Sequence, residues 1–354
     1  MDLRDSAHST TVHVAPYADE RAEWDAFVRN SPTSTFFHQT RWLEVIEQSF
    51  GYQRRDLIAR RAGRIVGVLP LCKLSLPFRR ACFMSLPFAV EAGVCADDDA
   101  ARCALEGAAI TFAERESAQY LELRDGADGD GFALREGMYC RFRRALCPSD
   151  AENLDAIPRK RRRMIRVGQR HGLHVRVGAS HLREFHDLYA RTARRFGSPV
   201  FALGYFRSLL ETFGDDCVLM TVWHADAAIA GVLSFFFRDT VMPYYAGSRR
   251  EMLRYSPNDL LYWELMRHAV ERGATAFDFG RSKVGTGAFA FKRHWGFEPQ
   301  PLRYRVRVIT GAPPARSLDD RWVRRLRRCW SQLPLSFTKL AGPILVRRLG
   351  PHYT

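Results

Sequence analysis

The chain has 354 residues, 46% hydrophobic and 26% charged, a balance that excludes disordered, collagenous and fibrous classes and allows two domains. No uncharged apolar run approaches the roughly 18 residues of a membrane span, and the first residues carry acids in place of an apolar signal core, so a cytoplasmic protein is expected. The net charge of +15 sits in two segments, 159–176 with eight basic and no acidic residues and 311–354 with nine basic and two acidic, which points to two local anionic contacts and not to a nucleic-acid-coating surface.

Taken in chain order, the first element is an amphipathic helix in Phe37-His-Gln-Thr-Arg-Trp42-Leu-Glu-Val-Ile46, closed by Phe50-Gly51. Alternating apolar stretches at 56–60 and 65–74 read as a β-hairpin, and a helix at about 98–116 and a short buried strand at Tyr120–Leu123 follow. Pro158 opens a helix at 159–170 that Gly172 ends, and 173–177 is strand-like. The opening pattern then returns 164 residues on. Phe201-Ala-Leu-Gly-Tyr-Phe206 matches the first helix, Phe213-Gly214 matches Phe50-Gly51, and Ala227-Ala-Ile-Ala-Gly231-Val-Leu matches Gly63-Arg-Ile-Val-Gly67-Val-Leu. The second copy supplies a hairpin at 218–223 and 228–237, a helix at 258–272 capped by Ser256-Pro257-Asn258, and a strand at 276–279. The fold class expected is α/β (α+β), two similar domains, each a mixed β-sheet flanked by helices. The expected division is an extension at 1–19, domains at 20–157 and 158–309, and a basic amphipathic tail at 310–354.

The densest chemistry lies at 277–299, FDFGRSKVGTGAFAFKRHWGFEP. A strand ending at Gly280 leads into a loop with Gly285 and Gly287, and a helix from about Ala288 presents Phe291 and Trp295 four residues apart with Lys292 beside them. Sites in open sheets form at the carboxyl ends of strands, which makes Asp278, Arg281, Lys283 and Lys292 candidates. On the helix 159–170, Arg159, Arg162, Arg163, Arg166 and Arg170 form a stripe without an acid to pair with inside the helix, suited to a phosphate-bearing ligand. The tail alternates Trp322, Leu326 and Trp330 with arginines, the composition of an interfacial helix; a terminal helix packed on the body is the competing expectation. Cys72, Cys82, Cys95, Cys103, Cys140, Cys147, Cys217 and Cys329 show no metal-binding or disulfide spacing, so no metal is expected. The histidines are scattered, and no hydrolase or metalloprotease motif is present.

The run at 277–299, together with PYYAGS at 243–248, SPNDLLYWELMRHAVERGA at 256–274, FFHQTRWLEVIEQSFGY at 36–52 and PRKRRRMIRVGQRHGL at 158–173, resembles the Fem-type (FemAB) peptidyltransferase superfamily, nearest to its PEP-CTERM/exosortase-associated members. The resemblance spans roughly residues 20–309. It implies tandem GNAT-like acyltransferase domains and transfer of an acyl or aminoacyl group to an amine of a cell-envelope or exopolysaccharide precursor. It also implies roles for matching residues: Lys292, next to Phe291, in transfer, Tyr245 in orientation, and Arg194 or Arg195 on phosphate; the residues read from the segment itself add Asp278 as a catalytic candidate and Asn258, Arg281, Lys283, Gly285, Gly287, Phe291 and Trp295 as substrate-binding candidates. Where the family has a phosphate-binding lysine near the start, 38–50 holds Arg41 and no lysine.

No cofactor is required on this reading, with aminoacyl-tRNA or acyl-CoA as donor and an anionic or lipid-linked precursor as acceptor. An acetyl-CoA-dependent GNAT enzyme would need a glycine-rich pyrophosphate turn, and 249–257 has no glycine and ends at a proline without an N–H. A non-enzymatic nucleic-acid- or membrane-binding factor on a degenerate transferase fold is the alternative from another class. Peripheral contact with an anionic inner membrane through 311–354 is expected.

Overall fold

A computed structural model describes residues 11–75, 81–127, 131–311 and 321–349. The chain forms two compact units. One takes the chain up to Arg135 and the segment from Arg303; the other takes Glu136–Leu302 and the tail helices Arg321–Gln332 and Leu335–Leu349. The expected cut at 157/158 is therefore displaced, for a topological reason. Strand Tyr139–Ala145 follows the first copy in sequence but pairs with Ala276–Lys283 of the second, and strand Tyr304–Val308 pairs with Tyr120–Leu123 of the first. Each unit is completed by a strand from the other half of the sequence.

In the first unit, helices Arg21–Asn30 and Thr40–Phe50 fall between the first and second strands of an antiparallel sheet of His13–Pro16, Leu57–Arg61, Arg64–Leu69 and Cys95–Ala96 in that order. The expected strand 65–74 is broken. Pro70 offers no N–H to a ladder, and Cys72–Leu74 joins a second, six-stranded sheet in which Cys82–Met84 and Tyr120–Leu123 run parallel. Helix Asp99–Arg115 starts where the Asp98 carboxylate accepts from Ala101 N at 2.8 Å. Buried Arg305 ties this unit together, bonding Glu106 and Asp125 at 2.7 Å each.

The second unit repeats the order. Helices Leu182–Arg195 and Leu203–Phe213 precede the hairpin Cys217–His224 and Ala227–Phe237, then Thr240–Ser248, helix Pro257–Glu271 and strand Ala276–Lys283. Its seven-stranded sheet runs His174–Val177, Cys217–His224, Ala227–Phe237, Thr240–Ser248, Ala276–Lys283, Tyr139–Ala145, Gln300–Pro301. Thr240–Ser248 and Ala276–Lys283 are parallel and pair only at Thr240–Ala276 and Val241–Phe277, beyond which their carboxyl ends are no longer bonded to each other. Helix Arg159–Arg170 packs through Ile165 and Gly168, whose added Cβ would lie 3.1 Å from Leu260 Cβ. Phe142, Phe277, Phe279, Trp295 and Phe297 fill the core below.

Helix Leu182–Arg195 approaches Thr240–Ser248 so closely that a Cβ on Gly247 would stand 2.3 Å from the Leu188 carbonyl carbon. The glycine of Ala246-Gly247-Ser248, at the strand's end, is thus a requirement of backbone packing. Ser256 adopts a left-handed conformation and makes no side-chain cap, so the expected cap is absent: Pro257 starts the helix and Asn258 lies in its first turn.

Candidate functional site

Strand Ala276–Lys283 runs four residues beyond its expected end because Tyr139–Ala145 pairs along it, with a register slip near Gly280. Arg281 and Lys283 are consequently strand residues, not loop residues. Gly280 has φ +64°, which turns its carbonyl and those on either side toward helix Gly287–His294. There the Lys292 ammonium donates to Phe279 O at 2.6 Å, Arg281 O at 3.2 Å and Gly280 O at 3.3 Å, over the rings of Phe142 and Phe279. All three of its protons are engaged. Burial pulls its pKa down to about 7, against the opposing pull of the Asp278 carboxylate, and the Arg281 charge lowers it further.

Asp278 is buried and committed. Its Oδ2 takes the Arg141 guanidinium at 2.6 Å and its Oδ1 accepts from Gly280 N at 2.8 Å. The carboxylate expected to be catalytic instead holds the strand bend that presents carbonyls to Lys292. Trp295 is fully buried and donates to Asp259 Oδ1 at 3.2 Å, while Phe291 packs on Tyr262, Phe279 and Trp295. Both belong to the core and not to a substrate surface, because the helix turns its apolar side inward. Gly285 has φ +78° and serves the turn; a Cβ on Gly287 would meet nothing within 4 Å, so no close approach requires that glycine. Thr286 caps the helix, accepting from Phe289 N.

Tyr245 is buried, its hydroxyl 2.7 Å from that of Tyr205 and its ring packed by Tyr189, Phe201 and Phe206. Burial raises its pKa well above the usual phenol range. Three residues on, Ser248 enters a cleft of about 290 Å³ lined by Arg191, Arg194, Arg195, Arg249, Arg250, Glu251, Ser331 and Gln332. Five arginines face one acid. Arg194 donates to Leu333 O at 2.8 Å and keeps a buried Nε without a partner; Arg195 lies over the Phe196 ring, and burial and Arg250 lower its pKa. Arg194 and Arg195 end their helix, where cations are favoured.

On helix Arg159–Arg170, Arg159, Arg163, Arg166 and Arg170 are exposed on one face. Arg162 is half-buried and pairs with Asp155, an acid just upstream of the helix, so it leaves the exposed stripe. Arg161 points inward, onto Asp259 at 3.1 Å and over Phe291. Sequence reasoning missed Arg141, Arg161, Tyr205 and the cleft arginines 191, 249 and 250. The i, i+3, i+4 spacing of Arg191, Arg194 and Arg195 carried a legible signal; the others depend on strand pairing and packing. Within the tail, Trp330 donates to Ser198 O at 2.9 Å and Arg327 crowds Gly197, so the expected Trp330 face is turned to the body. The Trp322 side chain lies outside the described residues.

Residues 156–293 match the family model of an acetyltransferase (GNAT) domain. The Lipid II:glycine glycyltransferase of Staphylococcus aureus (strain MRSA252) is 22% identical over 374 aligned positions, covering 77% of this chain and 88% of that protein. The crystal structure of FemX superposes with a TM-score of 0.66 at 19% identity, over 82% of this chain and 96% of FemX. These matches support the FemAB-like resemblance read from the sequence. This FemAB-like protein is thus an acyltransferase of mixed α/β, tandem GNAT-like fold. A tandem GNAT protein from the clavulanic acid biosynthesis pathway shares the fold at TM-score 0.50 and 13% sequence identity, over 86% of this chain and 100% of that one.

Proposed function

We propose that this FemAB-like protein transfers an acyl or aminoacyl group to an amine of a phosphate-bearing cell-envelope or exopolysaccharide precursor, in the PEP-CTERM-type setting that the sequence resemblance implies. The arginine cleft carries this reading. Five arginines line about 290 Å³ with Glu251 as the one acid among the lining residues; Arg191 is also paired with Asp187 at 2.6 Å, and the other four guanidiniums suit a phosphate or pyrophosphate held bidentately. The Staphylococcus aureus relatives, named for Lipid II, support a lipid-linked acceptor.

Transfer by direct attack of the acceptor amine needs orientation and a group that manages charge and the released proton, not a covalent nucleophile. Lys292, with a pKa of about 7 at the strand end, fits that role, and the Asp278–Arg141 pair positions it. Aminoacyl-tRNA is the favoured donor, with the exposed arginines 159, 163, 166 and 170 against its backbone. The turn before helix Pro257–Glu271 supports this over acyl-CoA. The Arg249, Met252 and Ser256 amides are taken up by Ile229 O, Arg249 O and Leu253 O, and Pro257 has none to offer. The matched acetyltransferase domain favours acyl-CoA as the second reading.

Mass spectrometry of small molecules co-purified with the full chain tests the proposal. A phosphate-bearing amine should be retained by the wild type and lost from Arg194→Ala/Arg195→Ala. Saturable acetyl-CoA binding, with no retained phosphate ligand and no pyrophosphate binding, would replace it with the second reading.

A further inference from the structure

The tail helix Leu335–Leu349 is fixed to the second unit by one face. Thr338, Gly342 and Val346, four residues apart, are buried, and a Cβ on Gly342 would stand 2.5 Å from Val200 O. Lys339 adds a 2.7 Å bond to Asp187. The helix cannot rotate about its axis without breaking that seat, so its opposite face stays outward. That face carries Phe337 at 50% exposure, Leu340 at 74% and Ile344 at 54%, at i, i+3 and i+7. Arg347 and Arg348, both exposed, fall on either side of this stripe at the helix end. The preceding helix adds outward Leu326 at 51% with exposed Arg324, Arg325 and Arg328. Residues 321–349 contain no acid.

We propose that this face is a docking surface for an anionic lipid bilayer, on which the helix Leu335–Leu349 lies flat with Phe337, Leu340 and Ile344 among the acyl chains and the arginines on headgroup phosphates. The charge pattern selects this occupant. A second copy of the chain seated on the same stripe would bring like arginines together with no acid to offset them, whereas an anionic bilayer offers apolar depth and negative charge at one plane. No described helix is long and apolar enough to cross a membrane, so the contact is interfacial. Phe337, Leu340 and Ile344 do not line the arginine cleft, and the contact does not depend on which acyl group is transferred. Of the expected face at Trp322, Leu326 and Trp330, Leu326 stays outward, Trp330 is turned to the body, and the Trp322 side chain lies outside the described residues; the next helix supplies the larger outward apolar face.

Co-sedimentation of the full chain with vesicles of phosphatidylcholine, with and without phosphatidylglycerol, tests it. The wild type should bind the phosphatidylglycerol vesicles, release with added salt, and bind phosphatidylcholine weakly. Phe337→Ser/Leu340→Ser/Ile344→Ser, all at exposed positions, should keep the circular dichroism spectrum and lose at least roughly tenfold in vesicle partitioning. Arg347→Gln/Arg348→Gln should weaken binding and flatten its salt dependence. The proposal fails if the wild type does not sediment with phosphatidylglycerol vesicles, or if the folded triple-serine variant sediments equally well. It also fails if binding is lost only on neutralising Arg159, Arg163, Arg166 and Arg170, which would move the contact to that helix. Sedimentation velocity showing a dimer that the triple-serine variant dissociates, without vesicle binding, would make a second copy the occupant.

Discussion

Replacing Lys292 with methionine keeps the half-buried stem and removes only the titrating end. In the folded protein this amine loses its proton near pH 7, whereas a lysine in the unfolded chain holds it to about 10.4. Between those values the unfolded state binds more protons, so the wild type gains stability as pH rises and loses it as pH falls through 7. The full slope is about 1.4 kcal/mol per pH unit. The residue is only half-buried, and Phe279, Gly280 and Arg281 carbonyls favour the charged form, so roughly half that slope is expected, about 1–1.5 kcal/mol between pH 7 and 9. The variant lacks this term, and loss of the three ammonium–carbonyl bonds costs about 1–2 kcal/mol at every pH. Urea unfolding of both proteins from pH 6 to pH 9 measures the difference, which should widen with pH. Parallel stability curves would refute the placement of a near-neutral amine at this strand end. Transfer by the variant should fall about 10²-fold, the usual loss for one preorganised donor.

Asp278→Asn should destabilise by about 2–3 kcal/mol, below the full cost of orphaning a buried ion because Arg141 keeps 25% of its side chain exposed; unchanged chemical denaturation would show the pair to be dispensable. Gly247→Ala should cost about 3 kcal/mol or more, since Leu188 backbone stands where the methyl would go, while Gly287→Ala should be within about 0.5 kcal/mol of wild type; equal melting temperatures would contradict that packing. Tyr245→Phe removes the 2.7 Å bond to the buried Tyr205 hydroxyl and should cost about 1–2 kcal/mol, with Tyr205→Phe/Tyr245→Phe less destabilised than the sum of the single variants; strict additivity in the cycle would sever the pair.

Local periodicity and capping chemistry made much of the fold legible. Helix 159–170 has its expected bounds, and the hairpin at 218–237 and the helices at 98–116 and 258–272 lie within a few residues of theirs. These elements depend on residues three, four or two positions apart, which a sequence displays directly. The site was legible by position more than by role. Lys292, Asp278 and Arg281 do gather at one strand end, and Arg194 and Arg195 do line one cleft, but Asp278 proved to be the partner of an arginine 137 residues away. Trp295 and Phe291 looked alike on a helical wheel whether they faced a ligand or the core.

By itself, then, the sequence determined the elements, the 164-residue repeat and the family likeness, because each is carried by local pattern or by runs of residue identity. Tertiary structure alone decided that Tyr139–Ala145 completes the sheet of the second unit and Tyr304–Val308 that of the first, that Arg141 fixes Asp278, and that the tail turns Trp330 inward and Leu340 outward. The physical reason is common to all three. Strand pairing, a buried ion pair and the choice of which helix face is buried are settled by partners distant in the chain, and no local pattern names the partner.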